Sequence, residues 1–463
     1  MNKSKNTRIL ILLFIGVLMG ALDISIVGPA IPSIEKTIQM AQKDLSWIFS
    51  IYVLSNLVGI SLMAKLSDYF GRRWIYMLSV AIFGLGSLVV VSSHDINVLL
   101  TGRAIQGFGS SGIFPIAAAV IGDVFPVDKR GRALGLIGAV FGIAFILGPF
   151  IAGFMLMYFN WNALFIINLP IALLLILFSY FLLPSKKIEN PGGFDWPGII
   201  MLGIILSCFT IAINNIKSST FIEGGDTWPA LPLLVIVVIL TVFLLLLERS
   251  QAAPVLNAHL FNIRQVRLVG FIAVGVGLFQ SAMVFLPKHA VLIFGADPSR
   301  ASFMLLPVVI VTALFSPISG RLVDKIGSRI IIFCGLVIST IGLFILGLVM
   351  KNLVVFYVGE AMLGLGLAMR ASLNYIILNE VSPRERASTQ GILIIFVSIG
   401  QLTGAALIGS ITSPNKQETS GFGSSFMIMC ILSLVLVFCS FFLKTRKKEL
   451  EKLSESTPNN SGN

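Results

Sequence analysis

The polarity pattern is a succession of long apolar runs broken by short polar and charged stretches. Fourteen runs of roughly 20 residues have the length a helix needs to cross a bilayer. They cover about 8 to 32, 45 to 66, 72 to 92, 96 to 123, 131 to 157, 162 to 183, 195 to 216, 229 to 247, 266 to 291, 298 to 320, 329 to 350, 352 to 379, 385 to 411 and 421 to 443. The pattern predicts an all-α integral membrane protein. Composition agrees: of 463 residues, 56% are hydrophobic and 12% charged, with a mean hydropathy of +0.95. No soluble domain hides that much apolar surface. The first run continues to Pro32 without a small-residue cleavage site, so it reads as a retained helix. Cys208, Cys334, Cys430 and Cys439 lie inside apolar runs, as small buried hydrophobes without disulfide or zinc spacing.

Charge placement sets an orientation. With the amino terminus inside, the cytoplasmic side collects Lys65, Arg72, Arg73, Lys129, Arg130, Arg132, Lys186, Lys187, Arg264, Arg267, Arg321, Lys325, Arg329, Arg384, Arg386 and a basic cluster from Lys444 to Lys448. The other side holds Lys36, Lys43, Lys217, Lys288, Arg300, Lys351 and Lys416. Both termini are then cytoplasmic, as an even number of spans requires. This bias accounts for the net charge of +12, and no nucleic-acid partner is expected.

Charged residues inside apolar runs carry the candidate chemistry. Asp23 lies roughly two-thirds of the way across the first span, too deep for a short side chain to reach water. Such a carboxylate either handles a proton or cation or is bonded to a neighbouring helix. Arg103 in the fourth span shares a face with Gln106 and Ser110; it either works inside the bundle or snorkels to the headgroups. The loop KLSDYFGRR places Asp68, Gly71, Arg72 and Arg73 in a tight turn between spans, and GRLVDKIGSR repeats it with Asp324, Gly327 and Arg329. At nearly the same offset Gly102 pairs with Gly359, Arg103 with Glu360, Gly109 with Gly366 and Asp123 with Glu380. Two homologous halves are implied, with an arginine in one replaced by a glutamate in the other. Arg370 adds a deep cation too far along its helix from Glu360 to pair with it.

These loops resemble the signature of the major facilitator superfamily, although Ala64 stands where a glycine is usual. The run Leu22, Asp23, Ile26, Val27, Ala30, Pro32 and Ile34 is similar to the first-helix motif of its fourteen-span drug:proton antiporters. Gly138, Gly142, Gly148, Pro149 and Gly153 resemble the antiporter motif, with Ala144 and Ala152 in place of usual glycines. The resemblance implies two six-helix bundles, residues 1–184 and 251–443, separated by a linker with two inserted spans in 185–250 and followed by a polar tail, 444–463. It implies proton coupling through Arg103 and the Asp23 motif, and gating by the signature loops. With the repeat, the expected mechanism is alternating access in which cargo and proton compete at Asp23 or Glu360, gated by Asp68, Gly71, Arg72, Arg73, Asp123, Asp324, Gly327, Arg329 and Glu380. It also implies a monomeric, proton-coupled exporter of cationic or amphipathic drugs in a prokaryotic plasma membrane, surrounded by lipid.

Asn56, Gln106, Ser110, Gln280, Arg370, Asn374, Tyr375 and Gln401 are polar candidates for a central cavity, with Phe141, Phe145 and Met283 as apolar surface beside them. Trp47 and Tyr52 read as interface anchors. The inserted spans should be peripheral and meet lipid, and the tail has no evident fold. No P-loop or metal constellation is visible, so no cofactor and no enzymatic activity are expected. Asp23→Asn is expected to fold. Alternatives are a dedicated exporter of one metabolite, antibiotic or lipid precursor, and a non-transporting sensor or scaffold.

Overall fold

The computed structural model describes residues 3–38, 40, 44–184, 195–215, 230–248, 258–381, 386–411 and 418–449. Among them there is no strand, and 14 helices are long and apolar enough to span a membrane, as the sequence predicts. They are α1 (Asn6–Thr37), α2 (Leu45–Phe70), α3 (Arg72–Val91), α4 (Ile96–Val124), α5 (Arg132–Tyr158), α6 (Asn162–Leu182) and α7 (Trp196–Asn214). The remainder are α8 (Ala230–Glu248), α9 (Arg264–Phe294), α10 (Pro298–Val323), α11 (Ser328–Gly347), α12 (Leu353–Ile377), α13 (Thr389–Ile411) and α14 (Gly421–Ser440).

Helix irregularities have local causes. In α6 the regular helix is interrupted at Ile167, where Pro170 offers no N–H to the carbonyl of Ile166. Pro307 does the same near Leu305 in α10. In α12 the break at Ala368 and Met369 is a tightened turn, with the Met369 N–H donating to the Gly366 carbonyl at 3.1 Å.

The chain forms two compact units. The first comprises Met1–Val255, Val284–Leu306 and Ala405–Gly421; the second Leu256–Met283, Pro307–Gly404 and Phe422–Asn463. In the first unit the C-terminal end of α1 is tied down by an ion pair between Glu35 and Lys288. The Trp161 indole N–H donates to Thr37 at 2.7 Å, and Ser299 donates to the Gly153 carbonyl at 2.7 Å. The inserted α7 packs on α2, with Ser46 donating to the Asn214 side-chain oxygen at 2.9 Å. Its partner α8 leaves Val235, Val238, Ile239, Val242, Phe243 and Leu246 exposed, an apolar face uncovered by the described residues.

The sequence repeat is also a packing repeat. A Cβ on Gly86 of α3 would lie 2.4 Å from the Gln106 backbone nitrogen, and one on Gly342 of α11 would lie 2.9 Å from that of Leu363. Helices α3 and α4 in one unit, and α11 and α12 in the other, therefore meet backbone to backbone at matching positions. Each signature loop turns on a glycine with positive φ, 96° at Gly71 and 91° at Gly327, where a side chain would be strained.

Gly342→Ala pushes two backbones apart and should cost about 1–3 kcal/mol. Gly320→Ala, whose Cβ would meet nothing within 4 Å, should be neutral. Melting temperatures of the two variants in detergent check this; equal values would contradict the packing argument.

Candidate functional site

Asp23 and Arg103 are both 0% exposed and form an ion pair in the core of the first unit, Arg103 Nη1 donating to Asp23 Oδ2 at 2.6 Å. The same nitrogen donates to Gln106 Oε1 at 2.8 Å, and Arg103 Nε donates to the Ile48 carbonyl at 3.3 Å. Asp23 Oδ1 accepts from Gln106 Nε2 at 3.1 Å and from Asn168 Nδ2 at 3.0 Å. Gln106 Nε2 also donates to Ser87 Oγ at 2.8 Å. The guanidinium lies over the Tyr52 ring, 4.3 Å from its centroid. Thus α1, α2, α3, α4 and α6 each supply a group to one buried network. Arg103 does not snorkel. Its Nη2 is the nitrogen left without a hydrogen-bond partner among the described residues.

Tyr52 departs from its reading as an interface anchor. It is buried beneath Arg103, because a desolvated guanidinium is stabilised by an aromatic face. Asn168, Ser87 and the Ile48 carbonyl were not singled out from sequence as site groups. The signal for Asn168 was an amide next to a helix-interrupting proline in an otherwise apolar span.

Glu360 of α12 is also buried, in the second unit. Neither of its carboxyl oxygens has a hydrogen-bond partner among the described residues. The two deep carboxyl groups are therefore in opposite situations: one is matched by a cation and two amides, the other by no hydrogen bond. In the same unit Gln401 Nε2 donates to Gln280 Oε1 at 2.8 Å, joining α13 to α9. Asn374 and Met283 are half-buried. The side chains of Arg370 and Asp324 lie outside the described residues.

In the first signature loop, Arg72 lies 2.5 Å from Asp68 and 3.2 Å from Asp123, and it donates to Ser67 Oγ at 2.6 Å. It thereby staples the turn to the end of α4. Arg73 points elsewhere, donating to the Leu183 carbonyl at 2.7 Å. In the second loop Arg329 lies over Phe441, and Glu380 pairs with Lys444 at 2.6 Å. Tyr375 accepts from Arg446 at 3.2 Å, which pushes the arginine's pKa up and keeps it charged.

The glycine–proline motif of α5 packs against two neighbours. Ser25 donates to the Ala144 carbonyl at 3.0 Å and would collide with a Cβ on Gly148. Phe303 covers Gly153, while Gly142 faces open space. Pro149 is buried, and Gly138 lies outside the residues described in full. Asn56 donates to Ser110 at 2.7 Å, between α2 and α4. Phe141 meets Phe114 edge-on, and Phe145 is half-buried.

The sequence profile of the Major Facilitator Superfamily matches residues 13–290 and 268–461. The chain is 27% identical over 419 residues to "Multidrug resistance protein 3" of Bacillus subtilis, covering 88% of this chain and 80% of that protein. It is 27% identical over 461 residues to "Riboflavin transporter RibZ" of Clostridioides difficile, covering 96% of this chain and 98% of that protein. Among solved structures, the bacterial homologue of the lysosomal transporter Spinster superposes with a TM-score of 0.69 at 14% identity, over 98% of this chain and 99% of the other. The nucleoside transporter NupG superposes with a TM-score of 0.68 at 13% identity, over 94% and 99%. At these identities the superpositions bear on the fold alone.

The ion-pair geometry revises what removing its carboxylate should do. Asp23→Asn leaves the Arg103 charge uncompensated away from water and should destabilise by about 3–5 kcal/mol. Asp23→Asn combined with Arg103→Gln removes both charges and should recover much of that loss. Thermal unfolding in detergent reads both; an Asp23→Asn protein as stable as the parent would contradict the account.

Proposed function

The chain belongs to the major facilitator superfamily and is a multi-pass membrane transporter; on that premise we propose that it exports cationic or amphipathic small molecules in exchange for protons. The observation that carries this reading is the contrast between the two buried carboxyl groups. Asp23 is neutralised in place by Arg103 and oriented by Gln106 and Asn168. Glu360 is buried with no hydrogen bond to either oxygen among the described residues. A carboxylate in such a setting is costly unless a proton or another cation accompanies it. That requirement is the chemistry of an exchange site, where proton and cargo compete for one negative charge.

Glu360 is then the exchanging group. The Asp23–Arg103 pair is its fixed companion, keeping the other deep charges balanced while exchange proceeds. Alternating access follows: cargo binds with the site open inward, and a proton displaces it once the site opens outward. The signature loops, with Arg72 bridging Asp68 and Asp123, serve as contacts made and broken in the cycle. The lysine and arginine distribution supports cytoplasmic termini in a plasma membrane, and multidrug-resistance relatives support a drug-like cargo.

A second reading is favoured by a different observation. The match to the riboflavin transporter runs nearly end to end in both chains, and the Gln280–Gln401 pair offers neutral donors and acceptors. In this reading the cargo is one neutral heteroaromatic metabolite. Competition among chemically unrelated compounds separates the two: broad competition favours drug export, and a single effective competitor favours the metabolite.

Exchange at one carboxyl group has an electrical consequence. A monovalent cation leaving as one proton enters moves no net charge, so a membrane potential of about 100 mV, worth about 2.3 kcal/mol per charge, should not change the rate. A pH gradient should drive it. In proteoliposomes, ethidium transport should respond to an imposed pH gradient and ignore a potassium diffusion potential. Glu360→Gln, fixed in the neutral form, should lose the pH response and most ethidium transport with it. An unchanged pH response in Glu360→Gln would contradict the assignment.

A further inference from the structure

The two signature loops share a glycine turn and differ in what holds them. In the first, Arg72 follows Gly71 directly and bridges to Asp123 at the end of α4. In the second, the residue following Gly327 is Ser328, so the position has lost its cation, while Glu380 keeps the acidic position corresponding to Asp123. The missing charge arrives from another part of the chain. Lys444, just past α14, places its Nζ 2.6 Å from Glu380 Oε1, and its backbone N–H donates to Gln265 Oε1 at 3.3 Å.

The residues after Lys444 continue the contact. Arg446 packs its Cβ against Gly327, where an added Cβ would lie 2.9 Å away, and reaches the Tyr375 hydroxyl. Ser328 hydrogen-bonds to Glu449, whose other oxygen lies 3.7 Å from Arg446. Phe441 lies under the Arg329 guanidinium. Every one of these residues belongs to the second unit. Between α14 and a helical turn at 446–449 the backbone leaves the regular helix; turn hydrogen bonds carry it from α14 to Leu443, and beyond that side-chain contacts hold the segment.

We infer that the segment Phe441–Glu449 is an intramolecular clasp, in which Lys444 takes the place of the arginine missing from the second signature loop. The loop after Gly327, the inner end of α12 and the start of α9 converge on it. In its ion pairs the cations are partly exposed, 29% at Lys444 and 24% at Arg446, while the acidic partners are largely covered, 8% at Glu380 and 10% at Glu449. The clasp draws its cation from a distant part of the chain, whereas the Arg72 staple is built into its own turn. Lys444 acts as a positioning residue: it holds the second loop against α12 and touches no cargo.

The test needs no cargo and does not depend on the exchange reading. Glu380→Lys repels the tail, and trypsin cleavage at Arg446, Lys447 and Lys448 should rise about fivefold in the otherwise intact protein. Combining Glu380→Lys with Lys444→Glu restores an opposite-charge pair and should return cleavage to the parental rate. Deleting residues 444–463 should lower the melting temperature, and Ser328→Arg in that shortened chain should raise it again by rebuilding the first loop's bridge to Glu380. Unchanged cleavage in Glu380→Lys, failure of the charge swap to restore protection, or failure of Ser328→Arg to raise the melting temperature would each overturn the inference.

Discussion

A guanidinium cannot be left alone in the middle of a membrane protein, and the first unit is arranged around meeting that constraint. Arg103 has no route to water, so its charge must be answered by side chains and carbonyls from the surrounding helices. Asp23 provides the countercharge, Tyr52 a π face, Ile48 a carbonyl and Gln106 an amide that joins both members of the pair. Helix positions follow from this. Gln106 reaches Asp23 and Ser87 because Gly86 lets α3 and α4 approach at backbone distance. Asn168 adds its amide from α6, just before Pro170.

The second unit keeps the same backbone rules and changes two of the charges. Gly342 repeats the close approach of Gly86, and Gly327 repeats the turn of Gly71. The position of Arg103 is Glu360, and that of Arg72 is Ser328. Geometry has been retained where a side chain would not fit, and chemistry has diverged where side chains meet one another. One half then holds a neutralised ion pair and the other a carboxyl group without a hydrogen-bond partner among the described residues, an asymmetry that an exchange cycle can use.

Much of this was legible in the sequence because membranes impose strict rules on it. Apolar run length pointed to the fourteen helices, and the repeated Asp-x-x-Gly loops pointed to the two glycine turns. Asp23, Arg103 and Gln106 stood out because charge and amide are rare in such runs. The shared face of Arg103 and Gln106 was legible from their spacing; their contacts with Asp23 were not, since these join spans some 80 residues apart in sequence. Tyr52 was misread because an aromatic near a span end resembles an interface anchor until a buried cation is placed over it. Lys444 and Arg446 were read as part of a basic tail because nothing local distinguishes a docked lysine from a solvated one. Loss of the cation at Ser328 was the available clue, and it is meaningful only when the two loops are compared residue by residue.

The central claim is that cargo and proton compete for one buried carboxyl group, and proton release on cargo binding tests it most directly. Purified protein in weakly buffered detergent, titrated with ethidium, should release about one proton per bound cation, and Glu360→Gln, which mimics the protonated carboxyl group, should bind ethidium weakly and release no proton. Release of the same size from Glu360→Gln, or binding by the parent with no release, would contradict it.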